Sequence, residues 1–386
     1  MAAMKRKCVL LTEAYARQTL PMAKGFAQLG WRVMTLSSSR LDLGNVTKYA
    51  AKRIRVERSV LETEAGFMAA IKEIMRTEKI DLIVPLSDFS AAVLARHKGR
   101  FAQETQIAVN DFPAFMKAYD KLQTMKICQA NDIPCPLTLM HPKTIEEIET
   151  LRYPLVAKPR SGCGSIGFRM IKNREALESL LRTSENPWDT MLFQQFIPQT
   201  GKQYNVHMFL GKTHKVKTVI VAEKVRWFPL DGGASTLCKT VRHEAIAALC
   251  TKLLQKLQWV GYCDVDLICD PRDNIPKVIE INGRVSANVK LCAACDVNIT
   301  KQIADCYADK PVTQYCGFPE DMRLRCIHTD LLWFLQSPMR FRTNPSWFSI
   351  RNTTDQIFSF TDLLPFFAFS VQSVRNYKAA MKKRER

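Results

Sequence analysis

Short apolar runs alternate with longer amphipathic ones over roughly the first hundred residues of the chain. The runs at 8–11, 32–36, 53–56 and 81–85 have the length and apolar density of buried strands. Between them, 20–29 and 62–76 place apolar residues at steps of three and four, as helices lying on a sheet do. Strand and helix in alternation form βαβ units, so the pattern predicts a doubly wound parallel sheet over residues 1–110. Such sheets often bind dinucleotides through glycines in the first turn. Thr12-Glu13-Ala14-Tyr15-Ala16-Arg17 has none, which makes a dehydrogenase a poor reading.

A turn signal at Asn110-Asp111-Phe112-Pro113 closes this unit. A helix over 115–131 follows, bearing Lys121, until Pro134 and Pro136 break the pattern. From there the rhythm changes to α+β. Strands are expected at 154–159, 191–196, 204–210, 217–223, 262–269 and 277–282, with helices at 242–257 and about 298–308. The second unit thus spans 111–310. Beyond Pro311 the composition shifts to tryptophans Trp333 and Trp347, clustered phenylalanines and a basic end holding Arg375, Lys378, Lys382, Lys383, Arg384 and Arg386. Residues 311–386 read as a helical, aromatic extension. Its apolar stretch at 363–369 is far short of the roughly 20 residues a spanning helix requires.

Fifty-six Lys and Arg against 37 Asp and Glu leave a net charge of +19, which implies an anionic partner: nucleotide phosphates, nucleic acid or an acidic membrane surface. Nucleic acid is the weakest of these, because the aromatics gather near the C-terminus without a stacking or helix-turn-helix module. The basic start Lys5-Arg6-Lys7 is followed by an apolar run that stops at Thr12-Glu13, a first strand and not a signal peptide. Thirteen scattered cysteines then suggest reduced thiols and a cytoplasmic location. Cys292 and Cys295 are a lone CxxC with no second ligand pair around it, better read as two small buried residues.

Candidate chemistry sits in two places. Lys158 ends a strand and runs into Arg160-Ser161-Gly162-Cys163-Gly164-Ser165-Ile166-Gly167. Glycines there let backbone N–H groups approach phosphate oxygens, serines add donors, and the lysine adds a point charge. Asp264-Val265-Asp266 and Glu280-Ile281-Asn282-Gly283-Arg284 end two neighbouring strands. Because side chains alternate, Asp264, Asp266, Glu280 and Asn282 can converge across a hairpin. Oxygen donors beside a phosphate loop have the character Mg²⁺ requires, and Arg284 suits a transferring phosphoryl group.

At these residues the chain resembles the ATP-grasp ligases, in particular the carbamoyl-phosphate-synthase-like and carboxylate–amine ligase branch, over roughly residues 5–310. The resemblance implies a pre-ATP-grasp domain, a two-subdomain ATP-grasp fold with a small lid subdomain over about 125–193 and a larger subdomain over about 194–310, and ATP with Mg²⁺ or Mn²⁺ as cofactors. Lys121 and Lys158 resemble the family's nucleotide lysines, and Ser161, Gly162, Gly164, Ser165 and Gly167 its flexible loop. Gln194, Gln195, Phe196 and Ile197 resemble the adenine-holding hinge, and Gln203 stands at the ribose position. Asp266, Glu280 and Asn282 match the metal positions, while Arg284 and Lys158 carry the catalytic roles. Gln194 and Gln203 stand where acids are frequent, and Gly283 replaces a usual proline.

Between hinge and metal strands, 222–236 corresponds to a substrate loop. Lys224, Arg226, Gly233 and Ser235 are its substrate-side candidates, with a plain hairpin turn as the alternative for the glycines. The implied reaction joins a small carboxylate to an amine, or a thiol, through an acyl phosphate, with release of ADP and phosphate. A kinase-like or carboxylase activity on the same grasp, and a nucleotide-binding scaffold at a membrane surface, remain open. So do a homodimer and a peripheral contact of the basic tail with the anionic inner membrane face.

Overall fold

A computed structural model of the chain describes residues 6–162, 167–230 and 233–384. Strands β1 (Cys8–Leu11), β2 (Arg32–Ser37), β3 (Lys52–Arg55), β4 (Leu82–Val84) and β5 (Gln106–Ile107) form the expected parallel sheet, in the order β3-β2-β1-β4-β5. Alternate residues of β1 serve opposite cores. Cys8 and Leu10 meet Phe67 and Ile71 of the helix Glu64–Thr77, whereas Val9 and Leu11 meet Met22 and Phe26 of the helix Thr19–Gln28. Burial on both faces is why β1 is apolar throughout instead of alternating.

The helix expected over 115–131 is two helices, Phe112–Tyr119 and Lys121–Ala130. Asp120 separates them in an extended conformation, and its Oδ1 accepts the Leu122 backbone N–H at 3.0 Å as an N-cap. The apolar period runs unbroken through this point, but a carboxylate that bonds its own backbone competes locally with the helix. The break sets Lys121 at the start of the second helix.

Strands β6 (Leu155–Pro159), β7 (Arg169–Ile171) and β8 (Met191–Gln195) make an antiparallel sheet ordered β7-β6-β8, with its own core of Leu155, Ala157, Phe193 and Leu177. A seven-stranded sheet follows, built from β9 (Gln203–Leu210), β10 (Val216–Phe228), β11 (Ala234–Thr240), β12 (Gly261–Cys269), β13 (Pro276–Asn282), β14 (Arg323–Arg325) and β15 (Thr353–Asp355). Its order is β13-β12-β9-β10-β11-β14-β15. Two features differ from the pattern expected. β10 continues to Phe228 and β11 returns at Ala234, so most of the expected substrate loop is a hairpin. The C-terminal region also adds two strands to the sheet besides its helices Ile327–Gln336 and Leu364–Arg384.

That addition is fastened by a buried ion cluster. Asp330 is fully buried and takes Arg226 Nε and Nη2 at 2.9 Å each, Arg325 Nε at 2.7 Å and the Thr236 hydroxyl at 2.7 Å. Arg226 also lies over Trp333, and Arg325 over Trp347. One carboxylate serves two guanidiniums, so its loss leaves two buried cations without their partner. Asp330→Ala is expected to destabilise the protein by about 3–5 kcal/mol, read as a lower urea midpoint. An unchanged midpoint would mean that the cluster does not hold the extension in place.

Candidate active site

The pairing of β12 builds the floor of the site. Asp266 lies opposite Glu280 on β13 and beside Asn205 on β9; Asp264 lies opposite Asn282 and beside His207. Both aspartates face away from Val265, which is in the core. Asp266 receives Lys224 Nζ at 2.7 Å and the side-chain amides of Asn205 and Asn282 at 3.3 Å each. Burial pulls the Lys224 amine down, but Asp266, with Glu280 and Asp264 behind it, outweighs this and holds it above its ordinary value. Asp264 is deeper. Burial pushes its carboxyl up, and His207 at 2.9 Å, helped by Ser286 and Asn205, more than reverses that. His207 also meets the Tyr262 hydroxyl at 2.7 Å, so Asp264 anchors the floor from below.

Two more amines arrive from the other side. Lys121 Nζ donates to the Gly162 carbonyl at 2.6 Å and stands 3.5 Å from Glu280 Oε2. Lys158, on β6, is buried. Burial lowers its pKa to about 8, with Glu280 drawing it upward and Lys121 pushing it further down. Gly162 adopts φ +103°, a conformation that few other residues adopt, and this turns its carbonyl to Lys121.

These groups line a cleft of about 620 Å³. Lys121, Lys158, Lys224, Asp266 and Glu280 supply charge, while Val156, Phe168, Met170, Ile197 and Ile268 supply an apolar wall. Ser161, Gly162, Gln194, Gln195, Phe196, Gln203 and Gly233 line it too. Gln194 is buried and donates to the Thr138 hydroxyl at 2.8 Å, where an ionised carboxylate would lack a cation. Gln203 donates to Gln199, a lining residue that the sequence did not single out. Gly167 turns against Pro159 instead of joining the wall, and Gly164 and Ser165 lie outside the described residues. Asn282 reaches the site through Asp266. Arg284 reaches it through Asn282 Oδ1, at 3.3 Å, and through Asp88 of the N-terminal unit, which accepts its Nε and Nη2 at 3.1 and 2.9 Å.

Arg226 and Ser235 are not brought to the cleft. Register irregularities between Lys224 and Trp227 interrupt the alternation of β10, and Arg226 goes to Asp330. Ser235 is buried in β11, where its hydroxyl faces the Arg226 carbonyl. Gly283, which replaces the proline usual in the resembling family, does more than loosen a turn. A Cβ there would lie 2.8 Å from the Trp259 ring and 3.2 Å from Phe115, so the glycine makes room for two buried aromatics.

A second cavity of about 490 Å³ adjoins the first, sharing Pro159, Ser161 and Gly162. Glu13, Asp88, Tyr15, Phe89 and Tyr119 line it. Burial pushes the Glu13 carboxyl up, against hydrogen bonds from Thr12, Ser90 and the Leu86 backbone N–H. Glu13 and Asp88 follow β1 and β4 at the C-terminal edge of the parallel sheet, where ligands of such sheets bind; that rule could have found them.

Among the described residues no three His, Cys, Asp or Glu side chains form a metal cage, and Cys292 and Cys295 are simply buried. The donors at the floor nonetheless suit a hard cation. Asp266, Glu280 and the Asn282 amide are oxygen ligands, and the buried Asn205 Oδ1 has no hydrogen-bond partner. Mg²⁺ is commonly held by one or two carboxylates with substrate phosphates completing its shell.

Residues 118–288 match the family described as the ATP-grasp domain. The chain is 22% identical to D-aspartate ligase of Enterococcus faecium over 222 residues, which cover 53% of each protein, so it spans about half the length of that relative. It is 25% identical to D-alanine–D-alanine ligase of Bacillus anthracis over 236 residues, covering 55% of this chain and 75% of that one. In fold it is similar to a biotin carboxylase–β,γ-ATP complex from Campylobacter jejuni, with a TM-score of 0.69 at 14% identity over 84% of this chain and 75% of the other. The ATP-grasp match is thus a match of residues 118–288, the segment that contains Lys121, Lys158 and both acidic strands.

Proposed function

We propose that the protein is an ADP-forming ligase that activates a small carboxylate with ATP and joins it to an amine, or a thiol. The observation that carries this reading is the pair of cavities meeting at Pro159, Ser161 and Gly162: a nucleotide-sized cleft with three amines and two carboxylates, opening beside a smaller chamber. The D-aspartate and D-alanine–D-alanine ligases among its relatives support it.

The apolar wall takes the base, with Gln195, Phe196 and Ile197 at the hinge and Gln203 near the ribose. Lys121 and Lys158 neutralise the phosphates, and the Ser161–Gly162 turn closes over them. Asp266, Glu280 and Asn282 are the residues that would hold Mg²⁺, which offsets phosphate charge when bound. The substrate carboxylate attacks the γ-phosphorus, forming an acyl phosphate as ADP leaves. An amine in the second cavity then attacks the acyl carbon and phosphate departs. Lys224 and Arg284 balance charge along this path, and closure of the three-stranded lid keeps water from the acyl phosphate.

Purified protein with Mg²⁺-ATP should release ADP only when a carboxylate and an amine are both present, with a condensed product by mass spectrometry. Glu280→Gln should reduce that release about 100-fold or more. ADP formed with no new C–N or C–S bond would instead favour the kinase or carboxylase reading.

Lys158 makes nucleotide binding pH-dependent. Its ordinary value is 10.5 and its value in the fold is about 8, so the amine is charged below about pH 8 and neutral above it. A triphosphate favours the charged form, and ATP binding should take up a proton near pH 8–9 and weaken as pH rises through that range. Calorimetry in two buffers of different ionisation enthalpy reads the uptake. Lys158→Arg, which stays charged, should abolish it; the same uptake in that variant would rule Lys158 out as its source.

A further inference from the structure

The C-terminal helix Leu364–Arg384 has, over residues 364–375, one face packed and one bare. Phe366 and Phe369 lie tilted and edge-on against His328, with ring centroids 4.9 Å away, and both adjoin a small core of Leu20, Leu43 and Ile357. Leu364, Phe367, Val371 and Val374 are exposed, at 65, 61, 48 and 80% of their surface. Their spacing of three, four and three residues lines up a single apolar stripe along the helix. Phe360, exposed at 89%, and Leu363 precede it on the same segment. A stripe of this kind is uncommon on a soluble surface that meets only water.

The charge around it says what covers it. Arg375, exposed, follows the stripe directly, and the sequence continues with Lys378, Lys382, Lys383 and Arg384. Residues 331–386 hold nine Lys and Arg against three Asp and Glu. Two of those acids are already engaged: Asp355 accepts the backbone N–H groups of Ile327, Ile357 and Phe358, and Asp362 binds Thr47. A protein partner would call for an apolar centre depleted of charge. Phenylalanines and aliphatics running into a basic cluster match the boundary between acyl chains and anionic headgroups. Among the described residues no helix is long and apolar enough to cross a membrane, so the helix would lie along the surface.

We propose that residues 360–384 are a membrane-surface anchor, docking the protein on a bilayer that contains anionic lipid, with the Leu364–Val374 stripe in the acyl boundary and the basic run on the headgroups. The anchor is distinct from the ligase site, and its test does not depend on the ligase reading. The full chain is floated with vesicles of phosphatidylcholine alone or mixed with phosphatidylglycerol, at low and high salt. It should float with the mixed vesicles and not with phosphatidylcholine alone, and high salt should release most of it. Phe367→Ser with Val374→Ser should weaken partition about tenfold or more at an unchanged urea midpoint, since both side chains are exposed. Lys382→Glu with Lys383→Glu should do the same without touching the stripe. No flotation, flotation indifferent to phosphatidylglycerol, or serine variants that float like the parent would overturn the proposal. So would a stripe-dependent dimer that ignores vesicles, which would assign the stripe to a second copy of the chain.

Discussion

Three ammonium groups and two carboxylates face one another where β6, β10, β12 and β13 meet, and each charge held there away from water is costly unless it has a counterpart. Lys224 settles this with Asp266 at 2.7 Å. Lys121 and Lys158 do not: both look to the single carboxylate of Glu280, and burial, which Glu280 only partly offsets, leaves the Lys158 pKa depressed. The cleft therefore carries a surplus of positive charge fixed by buried backbone and core strands. A polyphosphate would supply the missing anions, and that surplus of charge would then contribute to its binding.

The same charge balance explains the apparently silent residues beneath it. Asp264 could have been a further ligand at the floor, but His207, itself held by the Tyr262 hydroxyl, engages it from below. The floor facing the cleft is Asp266 and Glu280, with the amides of Asn205 and Asn282 bonded to Asp266, an oxygen set and not a charge-rich cage. Arg284 joins this floor to Asp88 of the N-terminal unit, so the chamber beside Glu13 and the nucleotide cleft share one hydrogen-bonded frame.

Much of this was legible because it rests on local pattern. Strand alternation brought Asp264, Asp266, Glu280 and Asn282 together across a hairpin, and Lys158 with the glycine loop that follows marked a phosphate site. What stayed hidden depended on partners far along the chain. Nothing near Arg226 announces that Asp330, about a hundred residues on, will claim it. The break at Asp120 was readable as an N-cap but was masked by an apolar period that runs straight through it. Glu13 lay in a turn read only for its lack of glycine, although the strand edge that it occupies is where parallel sheets bind ligands.

Capture of Arg226 by the extension also bears on how the active site is held. β10 contributes Lys224 to the cleft and, two residues on, Arg226 to the buried cluster with Asp330 and Arg325. The strand is thus pinned on one side by the floor acids and on the other by a helix of the C-terminal region. Arg17 of the N-terminal unit bonds Gln356, and Thr47 bonds Asp362, tying that region to the parallel sheet as well. The extension is therefore a structural member on which the position of Lys224 depends. Its outer helix face carries none of this load, because the residues at 364, 367, 371 and 374 point away from every one of these contacts. That separation leaves the exposed stripe available for docking without disturbing the geometry of the cleft.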